Sequence, residues 1–165
     1  MAVAAGAGAQ NYPVKPIRLV SPYPPGGAND ILARIIGQKL GESLGQQIVI
    51  ENRGGATGNI GAEYVAKAAP DGYTILMGQA SNLTINVSLM SKMPYDPVKD
   101  LAPVTLVATT PNLLVVHPSL PVRTVKDLVA LAKAKPGSVN YASSGSGSAG
   151  HLAGELFKRV AHIDM

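Results

Sequence analysis

The sequence predicts an α/β fold built on a parallel sheet. Three observations lead there. The first eighty residues alternate strand and helix patterns, which is how parallel sheets are built. Three glycine-rich loops each follow a strand-like run and open a helical one. The apolar residues, 46% of 165, are almost all aliphatic, with one Phe and no Trp, so the core must come from Val, Ile, Leu and Ala.

The first strand is Ile17-Arg18-Leu19-Val20-Ser21. Pro22-Tyr23-Pro24-Pro25-Gly26-Gly27 stops it, because consecutive prolines and glycines make a stiff, tight loop. A helix then starts at Asn29 or Asp30, either of which suits an N-cap. Ile31, Leu32, Ile35, Ile36 and Leu40 fall on one helical face, and Gly45 marks the stop. Gln47 to Glu51 is a second strand, ending at Asn52-Arg53-Gly54-Gly55. A second helix runs from near Thr57 to Ala69, and the Pro70-Asp71-Gly72 turn ends it. Thr74 to Gly78 is the third strand.

The pattern then loosens. Leu83 to Met90 reads as a short helix. Val104 to Ala108 and Asn112 to His117 are strand-like runs divided by Thr109-Thr110-Pro111, where the chain is expected to cross between two lobes. Thr124 to Ala134 is a helix whose Thr124 and Asp127 form a capping box with Asp in place of Glu. Val139 to Ala142 is a strand, Ser143 to Ser148 a loop, and Ala149 to Val160 a helix.

Composition excludes several function classes. The net charge is +4, yet the basic residues are scattered rather than gathered in a stripe with aromatics, so nucleic acid is not an expected partner. A mild positive field does favour small anions. The absence of cysteine removes disulfides and thiolate metal sites. His117, His151 and His162 lack metal-ligand spacing and read as structural or surface residues. No catalytic residue, metal or cofactor is expected. The serines of 143–148 make no Gly-x-Ser-x-Gly elbow, so their hydroxyls suit ligand contact or capping. At the N-terminus, Ala7-Gly8-Ala9 resembles the end of a secretory signal whose charged start and apolar middle are missing; a disordered tail is the other reading of residues 1–11.

The chemistry points to the loops at Pro24 to Asp30, Gly54 to Gly58, and Ser143 to Ser148. A helix start presents unpaired N–H groups and partial positive charge, and glycine lets a ligand approach that backbone. In open parallel sheets ligands bind beyond the carboxyl ends of the strands, where such loops lie. Asp30 is the most interesting acid, either capping the helix or meeting a ligand amine. Gly145 to Gly150 also spells a dinucleotide fingerprint, which requires a nucleotide-domain strand before it and an acidic residue about twenty positions on.

Several strings in order resemble the Bug (TctC-type) solute receptors of tripartite tricarboxylate transporters. They are Tyr12-Pro13-x-Lys15-Pro16-Ile17-Arg18, then Pro22 to Asp30, Val49 to Gly61, Ala69-Pro70-Asp71-Gly72-Tyr73-Thr74, and Tyr141 to Ser148. The resemblance implies a type II periplasmic-binding-protein architecture of two α/β lobes. Residues 12–108 would form lobe 1, incomplete without a C-terminal return, and 109–165 the first part of lobe 2. It implies a periplasmic receptor for a small carboxylate: a di- or tricarboxylate, an acidic amino acid or an aromatic acid. Membrane permease subunits would be its partners. In the family the proline–glycine loop holds one carboxylate, which maps to Tyr23, Pro24, Gly26, Gly27 and Asp30. The serine–glycine loop holds the distal end, which maps to Ser144, Gly145, Gly147 and Ser148. Thr57 and the loop from Gln79 to Asn82, with Ser81, line the cleft as well.

Family members are nearly twice as long, so the second lobe is expected to be partial. Exposed apolar surface, poor stability and self-association are the expected consequences. Two competing readings stand beside the receptor. One is a nucleotide-dependent α/β enzyme using Gly145 to Gly150. The other is a partner-binding module whose apolar face is its interface.

Overall fold

The computed structural model describes residues 12–165; the signal-like stretch lies outside them. The described residues fall into two compact units, one ending at Gly78 and the other spanning Gln79–Met165.

The first unit is a βαβαβ arrangement. Strand β1 (Ile17–Ser21) lies between β2 (Ile48–Asn52) and β3 (Thr74–Leu76), and both neighbours run parallel to it. Leu19 faces Ile50 on one side and Ile75 on the other. As the central strand, β1 buries Ile17, Leu19 and Val20. Helix α1 (Ala28–Leu44) connects β1 to β2, and α2 (Asn59–Ala66) connects β2 to β3 after a short 3-10 turn at Ala56–Gly58. Leu19, Ala33 and Met77 form the core, with Leu32, Ile36, Ile48, Ile50 and Ile75 packed around them.

Helix α1 departs from the sequence reading in two ways. It begins at Ala28 with Gly27 as N-cap, one to two residues earlier than expected, because extended Gly27 already turns the chain into the helix. It also buries a stripe of small residues, including Ala33 and Gly37, while Ile31 and Ile35 are about half exposed. The helix sits so close to β2 that a Cβ on Gly37 would lie 2.8 Å from Ile50 Cδ1. Close approach selects small side chains at the contact and leaves bulky ones on the flanks. Gly45 ends the helix in the left-handed conformation, its N–H donating to Gly41 O. Helix α2 stops at Ala66, three residues short of the expected end, because Pro70 disfavours helical backbone just before it.

The second unit opens with one wide π-type turn, Ser81–Ile85, continuing as α3 (Asn86–Leu89). Helices α4 (Val125–Ala134) and α5 (Ala149–Ala161) follow. The Thr124 and Asp127 capping box is present in both directions. Three expected strands are not formed. Residues 104–108, 112–117 and 139–142 join no ladder. Val104 is 87% exposed and Leu113 84%. A strand exists only where a neighbour pairs its N–H and C=O groups, and among the described residues none does so here. Helix α5 likewise leaves Leu156 and Val160 open to solvent.

Candidate functional site

In the first unit, the loop after β1 is fixed from several sides. Pro22 is fully buried. A Cβ on Gly61 would lie 2.7 Å from Pro22 Cβ and 2.8 Å from Arg53 O, and one on Gly54 would lie 3.2 Å from Pro24 Cδ. Prolines of one loop thus rest against glycines of the next. The Tyr23 hydroxyl donates to Thr57 O (3.3 Å), and Tyr23 O accepts from Asn52 Nδ2 (3.1 Å). Gly26 is left-handed at φ +85°.

Asp30 organises this loop from the third position of α1. It is 3% exposed, and both its oxygens are engaged. Arg34 donates to each oxygen at 3.0 Å, Gly26 N–H to Oδ2 at 2.9 Å, and Asn52 Nδ2 to Oδ1 at 2.9 Å. Arg34 first, then the Gly26 amide and Asn52, hold its carboxyl well below the usual carboxylate range. Asp30 is therefore an ionised clamp on the Gly26 amide rather than the N-cap. Its charge is balanced by Arg34, so it adds little negative field to the loop.

Asn29 ties the ends of two strands together. Its Oδ1 accepts from Ser21 Oγ (2.8 Å), and its Nδ2 donates to Met77 O (2.9 Å). No side chain caps the start of α1. Thr57 lies on the neighbouring turn, where Gly55, Ala56, Thr57 and Gly58 all have positive φ. For Ala56 and Thr57 that conformation costs about 1–3 kcal/mol each. It persists because the adjoining Gly61 contact leaves the backbone no other course. Tyr23, Pro24, Gly26, Gly27, Asp30 and Thr57 thus gather around one loop pair.

In the second unit, Ser144 and Gly145 are exposed, whereas Gly147 and Ser148 are buried. Gly145 and Gly147 are left-handed, at φ +120° and +80°. Ser148 is the N-cap of α5, and its Oγ accepts the His151 N–H at 3.1 Å. The Ser148 N–H donates to Gly145 O, which closes the loop on itself. The Gly147 N–H donates to His151 Nδ1 at 3.3 Å. Ser81 is buried at the start of the wide turn, next to fully buried Asn82. Asn82 Oδ1 accepts from Gln79 N–H, while its Nδ2 is buried with no hydrogen-bond partner among the described residues. The helix that follows meets the serine loop, since a Cβ on Gly147 would lie 2.8 Å from Asn86 Oδ1.

Sequence reasoning missed Asn29, Arg34, Asn52 and His151 as organisers of these loops. Arg34 alone had a local signal, its position four residues after Asp30 on a helix. Asn52 reaches Asp30 only through strand pairing. Among the described residues no three His, Asp or Glu gather as a metal site, and no helix is long and apolar enough to cross a membrane.

Comparison with known proteins places this geometry. Residues 32–165 match the family model described as "Tripartite tricarboxylate transporter family receptor". The chain is 43% identical over 157 residues to Protein BugT of Bordetella pertussis, covering 94% of this chain and 48% of the relative. It is 42% identical to the UPF0065 protein in the tcbD-tcbE intergenic region of Pseudomonas sp. strain P51, covering 93% and 46%. Among solved structures it is similar to R. palustris Rpa4515 with adipate (44% identity, TM-score 0.89, 93% of this chain and 52% of that one). It is also similar to MatC (Rpa3494) from Rhodopseudomonas palustris with bound malate (34% identity, TM-score 0.82, with the same coverage). The chain spans about half the length of the curated relatives it matches.

Proposed function

Because the chain belongs to the tripartite tricarboxylate transporter receptor family, a family of periplasmic solute-binding receptors rather than enzymes, we propose that its two glycine loops serve to capture a small carboxylate. The observation that carries this reading is the start of α1. A seventeen-residue helix begins on a glycine without a side-chain cap, and the one acid in its first turn is neutralised by Arg34. Backbone N–H groups and partial positive charge face outward there, which suits an anion. Tyr23, Pro24, Gly26, Gly27 and Thr57 supply the near contacts, with Asp30 holding the loop in shape. Ser144, Gly145, Gly147, Ser148 and Ser81 supply those of the second unit.

Adipate and malate in the similar structures support a dicarboxylate as the first choice. A tricarboxylate, an acidic amino acid or an aromatic acid fits the same loop chemistry. Export to the periplasm and delivery to membrane permease subunits follow from the family. In a two-lobed receptor, residues 12–108 would belong mainly to lobe 1 and 109–165 would open lobe 2. A ligand holding both lobes favours the closed state by the contacts it gains there.

The nucleotide alternative loses its footing, because the stretch before Gly145 forms no strand and a dinucleotide loop needs one. A thermal-shift panel tests the proposal. Adipate or malate at a hundred times its dissociation constant should stabilise the chain by about 2.7 kcal/mol, whereas NAD should not. Stabilisation by NAD alone, or no response to adipate, malate, citrate, glutamate and benzoate, would defeat the receptor reading.

A further inference from the structure

His151 is the one histidine that touches a candidate ligand loop. It occupies the third position of α5, and its backbone and ring make reciprocal contacts with the residues before the helix. Its N–H donates to Ser148 Oγ at 3.1 Å, while its ring Nδ1 faces the Gly147 N–H at 3.3 Å. An amide can donate only to an unprotonated nitrogen, so this contact requires a neutral imidazole carrying its proton on Nε2. A capping box normally uses Glu or Gln at this position, and those acceptors do not titrate near neutral pH. Imidazole does, ordinarily changing charge between about pH 5 and 8.

Gly147 has little freedom to settle elsewhere. It is buried and left-handed, and even a methyl group on it would collide with Asn86 Oδ1. Losing the His151 acceptor would leave a buried N–H facing a cationic ring, which drives the two apart. The charged group coupled to the ring is Glu155, four residues along the same helix. Tyr141 and Lys158 hold its carboxyl below the usual range, with a smaller contribution from His151. The element that meets the loop from outside, α3 with its preceding turn, brings Asn86 and Leu89, which are uncharged.

We propose that His151 is a proton-sensitive latch on the serine–glycine loop: the neutral ring holds Gly147, and with it the loop shape that receives a carboxylate, and protonation releases it. This rests on the carboxylate reading of the loop. His151 is a positioning residue, acting on the ligand through Gly147. Affinity should therefore fall as pH drops through the imidazole range, although the ligand's own carboxylates stay ionised there.

The 165-residue chain labelled with 15N provides the test. Between pH 8 and 6 the Gly147 amide resonance should shift with the same midpoint as the His151 ring nitrogens. Adipate affinity should weaken by about twofold to tenfold over that range, the worth of one neutral hydrogen bond. In His151→Asn the amide oxygen replaces Nδ1 as acceptor, so both pH responses should disappear while affinity at pH 8 is kept. His151→Leu, with no acceptor, should bind more weakly at both pH values. A Gly147 resonance indifferent to the His151 titration would overturn the latch, as would the same adipate pH profile in the wild type and His151→Asn. Failure of adipate and malate to bind at any pH, with the Gly147 response intact, would instead sink the carboxylate reading and leave the His151–Gly147 coupling standing.

Discussion

Ile17-Arg18-Leu19-Val20-Ser21 and Val104-Thr105-Leu106-Val107-Ala108 are near twins as sequences. Each is five residues long, rich in β-branched and aliphatic side chains, and bounded by proline on at least one side. The first is the buried centre of a three-stranded sheet. The second lies open to solvent and pairs with nothing among the described residues. Intrinsic preference is therefore not what separates them. A strand forms where neighbours complete its hydrogen bonds and cover its faces, and β1 has β2 and β3 on its two sides. The same lesson applies to helices. Helix α1 has a sheet to rest on, whereas α5 leaves Leu156 and Val160 uncovered.

The sharpest way to break this comparison is hydrogen exchange. Ladder amides of β1 should be protected about 1,000-fold or more relative to those of residues 104–108 and 112–117. Equal protection in the two regions would refute the contrast. Protection at 104–117 that rises with protein concentration would show that copies of the chain pair there, the expected hazard of an exposed strand-like run.

A smaller effect is expected at the loop interlock. Gly61→Ala places a methyl group against Pro22 and the Arg53 carbonyl, so urea unfolding of the first unit should lose about 1–3 kcal/mol. Helix propensity alone would make the same change favourable. A gain in stability would mean that the contact yields.

The smallest effect is electrostatic and confined to acid. The Asp30 carboxyl is held far below its ordinary value of 3.8 by Arg34, Gly26 and Asn52. A depressed carboxylate stabilises the fold fully above its unfolded pKa, and the contribution is lost as pH falls through the folded one. Stability of the first unit should therefore decline as pH falls below about 4, the ordinary aspartate range. Asp30→Asn should be less stable at pH 7 but should show a flatter acid limb. Identical acid limbs in the two proteins would show that the clamp is not coupled to folding.

Much of the first unit was legible because its signals are local. The Pro–Gly stop, the glycine after α1 and the period of each strand all act within a few residues. The capping box at Thr124 was legible for the same reason. The anion-binding character of the loops was readable too, since glycine after a strand and before a helix is a local pattern. What held those loops was not readable. Asn52 and Asp30 are 22 residues apart and meet only because β2 lies beside β1.

Sequence alone determined where this chain turns, where helices begin and stop, and which family it resembles. Each of these depends on backbone preferences that neighbouring residues impose. Tertiary structure decided which strand-like runs became strands, which face of α1 met the sheet, and that Asp30 and His151 serve the loops by holding them. Those outcomes depend on partners distant along the chain, and a hydrogen bond or a buried face has no value until its partner arrives.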